Sequence, residues 1–369
     1  MIQTFNLDAL SNAFVEAAVD PARWDAAMDV AAKATRSFGA MLFDIKGHLP
    51  SIPRSREMGP SFEAYVRDGW IERDERYSLA PLMVRRGVVS ELDVLTPEEI
   101  AKRPYYQEFL APFGLRWYAG VKVSAGDELW CLSIQRSIQQ GPFSTSEMRL
   151  LAELSKRLGS AAALARMLSF ARAEGALDAF NVSGTPAVLL DRNAEVILVN
   201  EAADTLIRRD LRLRGRHLAS VNRNATDDLE RALHALLRNS TPAAMMAPVP
   251  LPRISGRPLL AYPLRLPRIT SNALASCQAV IVLVDPDVCA QPPEVALRAC
   301  FGLTSAEAKL AHRMSSGEGL EAAAERLRIS YETARNQLKA IFAKTDTHRQ
   351  AELVALLARL PNSTKVAIA

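Results

Sequence analysis

Cysteine is scarce in this chain of 369 residues, and no two cysteines form a C-x-x-C pair. The four that are present are Cys131, Cys277, Cys289 and Cys300. Such scattering argues against a disulfide framework and favours isolated thiols in a reducing compartment. Apolar runs are all shorter than the roughly eighteen residues of a membrane helix, and the N-terminus lacks the pattern of a secretory signal. We therefore expect a soluble, cytoplasmic protein that uses no membrane.

Arrangements of residues that carry catalysis are also missing. The five histidines are dispersed, and the chain contains neither a G-x-S-x-G motif nor a phosphate-cradling loop. The first sixty residues lack the paired acids that open a phosphorylated receiver domain. We therefore expect no enzyme activity, no cofactor, no metal, and no control by a histidine kinase.

The composition is that of an ordinary globular protein. About half of the residues are hydrophobic (49%) and 23% are charged, so the chain can build more than one core. Its length predicts two or three domains. The net charge of +4 is too small to indicate nucleic-acid binding by itself.

The first 143 residues have the pattern of an α/β module. Apolar residues at helical spacing predict two helices over residues 5–36. Apolar runs at 41–43, 88–89, 121–123 and 129–134 predict strands, with helical stretches between them. We interpret residues 1–143 as a sensor domain.

A long linker helix is predicted over residues 144–180. Its apolar side chains are spaced by three and four residues: Leu151, Leu154, Leu158, Ala161, Ala165 and Leu168. This is the spacing of a coiled-coil seam, but it is shorter than an independent coiled coil requires. Two interpretations stay open: the stripe packs on its own domain, or it joins two copies of the chain in a dimer.

A second module is predicted over residues 181–290. Strands at 187–190 and 195–199 flank a turn, Asn200 caps a helix, and further strands are expected at 257–266 and 277–284. Residues 248–252, with three prolines, are interpreted as a break. The runs 185–191 and 199–203 resemble the opening of a PAS domain, and the first module resembles GAF-like or PAS-like sensors.

The last sixty residues carry the most specific pattern. Thr304 and Glu307 form a T-x-x-E capping box, and Gly317 is placed to end the helix that they open. A short alanine-rich helix follows at 320–327, and Ser330 caps a third helix that runs to about Lys344. Thr347 and Gln350 have the spacing of another capping box for a closing helix. Two helices joined by a tight turn predict a helix-turn-helix over residues 298–363.

This stretch resembles the LuxR-type helix-turn-helix, most closely over residues 329–339 and 351–354. The resemblance implies that Arg335, Asn336 and Lys339 face base edges, and that Thr333, Gln337 and Lys344 approach phosphates. Three features depart from the family pattern: alanines at 322–324, Gln337 where histidine is common, and Arg349 one place before the usual arginine. Residues 333–349 contain four basic side chains and one acid, a local excess suited to phosphate neutralisation; the basic ones are Arg335, Lys339, Lys344 and Arg349.

Aromatic residues concentrate in the first module, where rings with a polar tip are typical of ligand pockets. We assign them as candidate effector-binding residues: Tyr65, Trp70, Tyr77, Tyr105, Tyr106, Trp117 and Tyr118. Each of them could instead belong to the core. Residues 205–268 hold twelve arginines against four acids, for which a solvated face is the default interpretation.

The sequence therefore predicts a multidomain α+β protein. An N-terminal α/β sensor of GAF/PAS-like type precedes a central PAS-like domain and a C-terminal all-α, four-helix helix-turn-helix domain. The predicted function is a homodimeric transcription regulator that binds double-stranded DNA and responds to a small-molecule effector. Control by a partner protein through the PAS-like module is the alternative, and an enzyme or a pure protein adaptor is disfavoured.

Overall fold

The computed structural model describes residues 5–45, 52–126, 128–238, 246–265, 272–288 and 292–360. These residues mix helix and sheet, and none of their helices is long and apolar enough to cross a membrane. The helices are α1 (Leu7–Val19), α2 (Trp24–Ala34), α3 (Gly59–Arg67), α4 (Ala80–Arg86), α5 (Pro97–Ile100), α6 (Thr145–Val182), α7 (Glu201–Asp210), α8 (Arg223–Arg238), α9 (Glu294–Phe301), α10 (Ser305–Ser315), α11 (Leu320–Leu327), α12 (Tyr331–Thr345) and α13 (Gln350–Leu357). The strands are β1 (Gly39–Asp44), β2 (Val88–Ser90), β3 (Leu115–Ala125), β4 (Glu128–Ser137), β5 (Ala187–Leu190), β6 (Val196–Val199), β7 (Arg212–Arg214), β8 (His217–Ala219), β9 (Val249–Leu251), β10 (Leu259–Leu264) and β11 (Ala279–Val284).

The described residues of 5–143, which we call the N-terminal unit, are organised around an antiparallel sheet of order β1-β4-β3-β2. Successive residues of a strand point to opposite faces. Accordingly, Ala40 and Leu42 join a core formed with α1, α2 and α6, whereas Met41 and Phe43 join clusters on the other face. Residues 121–123, predicted as a short strand, are the middle of the eleven-residue β3. The two helices predicted over residues 5–36 are confirmed as α1 and α2.

Helix α6 is 38 residues long and begins at the predicted Ser144, whose side chain accepts a hydrogen bond from the Glu147 amide at 3.3 Å. The predicted apolar stripe is buried within the same chain: the residues from Leu151 to Ala165 pack into the core shared with α1 and the first sheet. Leu168 is half-buried. The dimer-seam interpretation of this stripe is therefore wrong, because its side chains already cover their own domain.

The described residues of 187–288, which we call the central unit, contain a second antiparallel sheet of order β6-β5-β11-β10-β9. One face packs on α7 and α8, and the other receives Ala173 and Leu177 from the end of α6. Helix α8 was not predicted. Residues 248–252 were predicted as a break, yet they include β9. Pro250 is tolerated there because β9 is an edge strand, whose outer side has no neighbouring strand to which an amide would donate.

A loop of the central unit inserts into the N-terminal unit. Leu274 is fully buried and belongs to the core of the N-terminal unit. Beside it, the Trp24 indole Nε1 donates to Asn272 Oδ1 at 3.0 Å, and Asn272 Nδ2 donates to the Ala165 carbonyl at 3.3 Å. Arg166 Nε donates to the Ser276 hydroxyl at 3.3 Å. The two units are thus joined by buried side chains as well as by α6.

Residues 292–360, which we call the C-terminal unit, are entirely helical and share one core that includes Leu297 of α9. The Thr304–Glu307 capping box is confirmed, and Gly317 adopts a φ of +87° that favours glycine after α10. The predicted box of Thr347 and Gln350 is wrong: the Thr347 hydroxyl pairs with Thr345, and Gln350 Nε2 donates to the Glu318 carbonyl. Helix α9 was not predicted, and it spans residue 298.

Candidate recognition helix and N-terminal cavity

Helix α12 is placed by its cap and by one apolar stripe. The Ser330 hydroxyl accepts a hydrogen bond from the Thr333 amide at 3.0 Å, which satisfies one of the free amides at the helix start. Ala334, Leu338 and Ile341 are buried against α10 and α11. Arg328, with a φ of +55°, makes the tight turn between α11 and α12. The rest of the helix surface is therefore free to face a partner.

Four of the seven side chains that we predicted to contact DNA are exposed on the N-terminal part of α12. They are Thr333, Arg335, Asn336 and Lys339. Successive residues of an α-helix are about 100° apart, so Asn336 and Lys339 lie on the side away from the buried stripe and Arg335 lies on its flank. The helix dipole and the free amides of the first turn add positive potential at this end. The arrangement can present hydrogen-bond donors to a groove or to phosphates.

The other three predicted contacts have different surroundings. Lys344 Nζ lies 2.7 Å from Glu307 Oε2, in an ion pair that ties α12 to α10. Gln337 is half-buried, and its Oε1 has no hydrogen-bond partner among the described residues. Arg349 is exposed and stands at the start of α13. Lys344 therefore has a structural partner that the sequence did not reveal.

The N-terminal cavity lies between the first sheet and the helical segments around α3. Its volume is about 30 Å³, and it is partly open to solvent. Its walls are mostly apolar and aromatic, with a few buried polar groups, which is typical of small-molecule sites. The lining residues are Met41, Phe43, Asp44, Ile52, Met58, Ser61, Phe62, Tyr65, Asp74, Arg76, Tyr77, Phe109, Leu110 and Gln135.

A buried ion pair forms the polar part of this wall. Arg76 Nε lies 3.2 Å from Asp74 Oδ1, and both side chains are less than a tenth exposed. Asp74 Oδ2 also accepts hydrogen bonds from the hydroxyls of Tyr65 at 3.0 Å and Tyr105 at 2.9 Å. Burial raises the pKa of Tyr65 far above its usual value, and the Asp74 carboxylate raises it further. These hydroxyls are therefore neutral donors at physiological pH.

A second lobe of about 20 Å³ lies on the other side of this ion pair and shares Phe43, Asp74, Arg76 and Tyr77 with the first. The Tyr118 hydroxyl and the Cys131 thiol are 3.2 Å apart in its wall. Burial raises the pKa of the Cys131 thiol to about 12, so it is protonated and unreactive at neutral pH.

Glu91 is buried close to the same cluster. One of its oxygens accepts a hydrogen bond from the Tyr118 amide at 3.0 Å, and the other has no partner among the described residues. Burial raises the pKa of Glu91 to about 8, although the Arg76 guanidinium lowers it. This carboxyl group is therefore largely protonated at neutral pH.

The structure brings together only part of the predicted aromatic set. Tyr65 and Tyr77 line the first lobe, Tyr77 and Tyr118 line the second, and Tyr105 bonds the ion pair between them. Three others lie outside both linings: Trp70 and Tyr106 are buried in the adjacent core, and Trp117 is half-buried beside it.

Sequence reasoning missed the polar residues of the cavity wall. Asp74 and Arg76 stand in the run 72–77, whose three acids and two arginines are typical of an ordinary solvated segment. The signal available was their position between Tyr65 and Tyr77, two residues already assigned to the site. Gln135 lies on β4, and its Oε1 accepts a hydrogen bond from Arg76 Nη1 at 3.2 Å.

The arginine-rich stretch of the central unit is partly structural. Arg253 is 3% exposed and pairs with Asp285 at 2.7 Å and Asp210 at 3.3 Å. These contacts connect the end of α7 to the ends of β9 and β11. At Arg253 the interpretation as a solvated face is wrong, because three aspartates neutralise the guanidinium inside the fold; the third is Asp287.

Comparisons with known proteins add little to this picture. No protein-family model and no curated protein matches the chain. Similar solved structures include the phage VqmA–DPO complex, with 14% identity over 51% of this chain and 88% of that chain, at a TM-score of 0.23. Another is the E. coli DhaR(N)–DhaL complex, with 12% identity over 75% of this chain and 86% of that chain, at a TM-score of 0.24. Similarity at this level carries no argument about function, which must rest on the residues themselves.

Proposed function

We propose that this protein is a DNA-binding transcription regulator of the LuxR type, acting as a homodimer and without enzymatic activity. The observation that carries the proposal is the exposed surface of α12, which presents Arg335 beside, and Asn336 and Lys339 away from, a buried apolar stripe. Arginine and asparagine can pair bidentately with guanine and adenine in the major groove.

The N-terminal cavity supports an effector-binding role for the first unit, a GAF/PAS-like sensor in this proposal. Its apolar walls and its buried Asp74–Arg76 pair are suited to a small molecule with an apolar body and a polar group. The central unit is PAS-like and connects this sensor to the C-terminal unit. The effector changes DNA binding by the C-terminal helix-turn-helix.

The first experiment is to map the DNA sites of the protein across the genome and to measure affinity for single-base variants of a recovered site. Arg335→Ala should flatten the preference at one base position in each half-site by about 1–3 kcal/mol. The matched control is Arg208→Ala, which removes an exposed arginine on α7, in the central unit and outside the C-terminal unit. It should leave the base profile unchanged.

Two results would contradict the proposal. One is the absence of any DNA retention that weakens as salt is raised, since phosphate contacts release counterions. The other is a uniform loss of affinity in Arg335→Ala with the base profile intact, which would remove this side chain from base reading. Sedimentation of the protein with its DNA site tests the dimer, because a two-fold site requires two recognition helices.

A further inference from the structure

One charged residue of the cavity wall is also a contact of the central unit. Asp44 is the last residue of β1, where its backbone pairs with Trp130 of β4. Its side chain lines the first lobe of the cavity and is 6% exposed. A carboxylate at such a site requires a partner, because a buried, unpaired charge is costly.

The partner comes from the central unit. Arg192 Nη1 lies 3.0 Å from Asp44 Oδ2, and Nη2 lies 3.7 Å from Glu128 Oε2. The guanidinium carbon is 5.2 Å from the centre of the Trp130 ring, and the Arg192 side chain is 9% exposed. Arg192 thus enters the N-terminal unit and is held on the outer side of the cavity wall.

The turn that carries Arg192 is rigid. Asp191 Oδ1 accepts hydrogen bonds from the amides of Asn193 and Glu195, both at 2.8 Å, and the Asp191 amide donates to the Glu195 carbonyl at 2.9 Å. The turn joins β5 to β6, and β5 pairs directly with β11 in the second sheet. The backbone that carries Arg192 is therefore fixed to the sheet of the central unit and does not belong to a loose loop.

We propose that the Asp44–Arg192 ion pair couples occupancy of the N-terminal cavity to the central unit. The inference rests on the proposed binding of a small effector in that cavity. An effector that contacts the Asp44 carboxylate, by donating a hydrogen bond or presenting a cation, competes with Arg192 for its lone pairs. Arg192 acts as a positioning residue: it touches Asp44 and holds the carboxylate in the wall.

Coupling of this kind is reciprocal, so that changing Arg192 must change the cavity. The probe dye is 2-naphthol, a neutral fluorescent aromatic whose hydroxyl can donate to the Asp44 carboxylate, titrated into the full-length protein and followed by its fluorescence. Arg192→Gln should lower the Kd of the dye about fivefold or more, because the cation that competes for the Asp44 carboxylate is gone. Asp44→Asn should raise the Kd, because the dye loses its charged acceptor, and adding Arg192→Gln to Asp44→Asn should change the Kd no further.

Three further variants separate coupling from loss of structure. Arg208→Gln is the matched control, since it removes an exposed arginine whose ion pair with Asp204 lies within α7. Arg192→Lys should return the Kd part of the way to the wild-type value, because an ammonium group can still pair with Asp44. Met41→Trp fills the first lobe with a larger side chain and should abolish dye binding there.

Hydrogen exchange of the amides of residues 39–44 gives a second readout that needs no dye. We expect faster exchange in Arg192→Gln than in wild type, with Arg208→Gln unchanged. If the wild type and Met41→Trp bind the dye equally, the cavity proposal fails, and exchange alone then decides whether Arg192 positions β1. The coupling is overturned if the dye binds in the cavity and Arg192→Gln leaves its Kd unchanged, or if exchange at 39–44 matches the Arg208→Gln control.

Discussion

Removing Asp74 should destabilise the N-terminal unit strongly. The side chains of Asp74 and Arg76 are both less than a tenth exposed, and Asp74 also accepts the hydroxyls of Tyr65 and Tyr105. Asp74→Ala leaves the guanidinium buried without its carboxylate. Breaking a buried ion pair from one side costs about 3–5 kcal/mol. At roughly 2–4 °C per kcal/mol for a domain of this size, the melting temperature should fall by about 6–20 °C.

The assay is thermal unfolding of the full chain followed by tryptophan fluorescence. All four tryptophans, at positions 24, 70, 117 and 130, lie in the N-terminal unit, so the signal reports on that unit alone. Asp68→Ala is the matched control: it removes the exposed partner of Arg67 and should leave the melting temperature unchanged, since exposed pairs contribute little. A similar, small shift in both variants would refute the claim that the Asp74–Arg76 pair is a buried, interdependent unit.

Three further changes have defined outcomes. Burial raises the pKa of Glu91 to about 8, so the folded state keeps a proton that the unfolded chain loses near pH 4.5, and the free energy of unfolding falls as the pH rises between these values. Glu91→Gln should make this fall smaller, as measured by fluorescence melts at pH 5 and pH 8. An unchanged dependence on pH would contradict this prediction. Trp70→Ala should lower the free energy of unfolding, measured by urea unfolding, by about 3–5 kcal/mol, because the ring is buried. A much smaller decrease would contradict a role in the core and favour the earlier assignment of Trp70 as an effector-binding residue. Lys344→Met should speed hydrogen exchange in α10 because Glu307 loses its cation, whereas the same change at exposed Lys339 should not.

The local patterns predicted most of the elements correctly, and the reasons are visible in particular residues. Ser144, Thr304 and Ser330 are side chains whose capping chemistry is local, and all three begin helices as expected. The exposed face of α12 follows from helical periodicity alone. Helix α8 was not predicted, although Leu229, Leu233 and Leu236 have helical spacing, because the arginine-rich stretch around them was interpreted as a solvated face.

Other features depend on tertiary contacts that periodicity cannot report. The stripe on α6 defines an apolar face, but a period of three and four residues does not say whether that face meets its own domain or a second chain. Charged residues are expected on the surface, so burial of Asp74 and Arg76 could not be read from their types. The pairing of Lys344 with Glu307 joins residues 37 positions apart and has no local signature.

The insertion of Leu274 into the first core bears on how such a protein can evolve. Multidomain proteins can diversify when a gene segment for one unit is exchanged for another. A crossover in α6 would separate Leu274 from the pocket that it fills, and would leave both a hole in one product and an exposed leucine in the other. Such an exchange would therefore have to carry the N-terminal and central units together. The N-terminal and central units of this chain would then be inherited as one block.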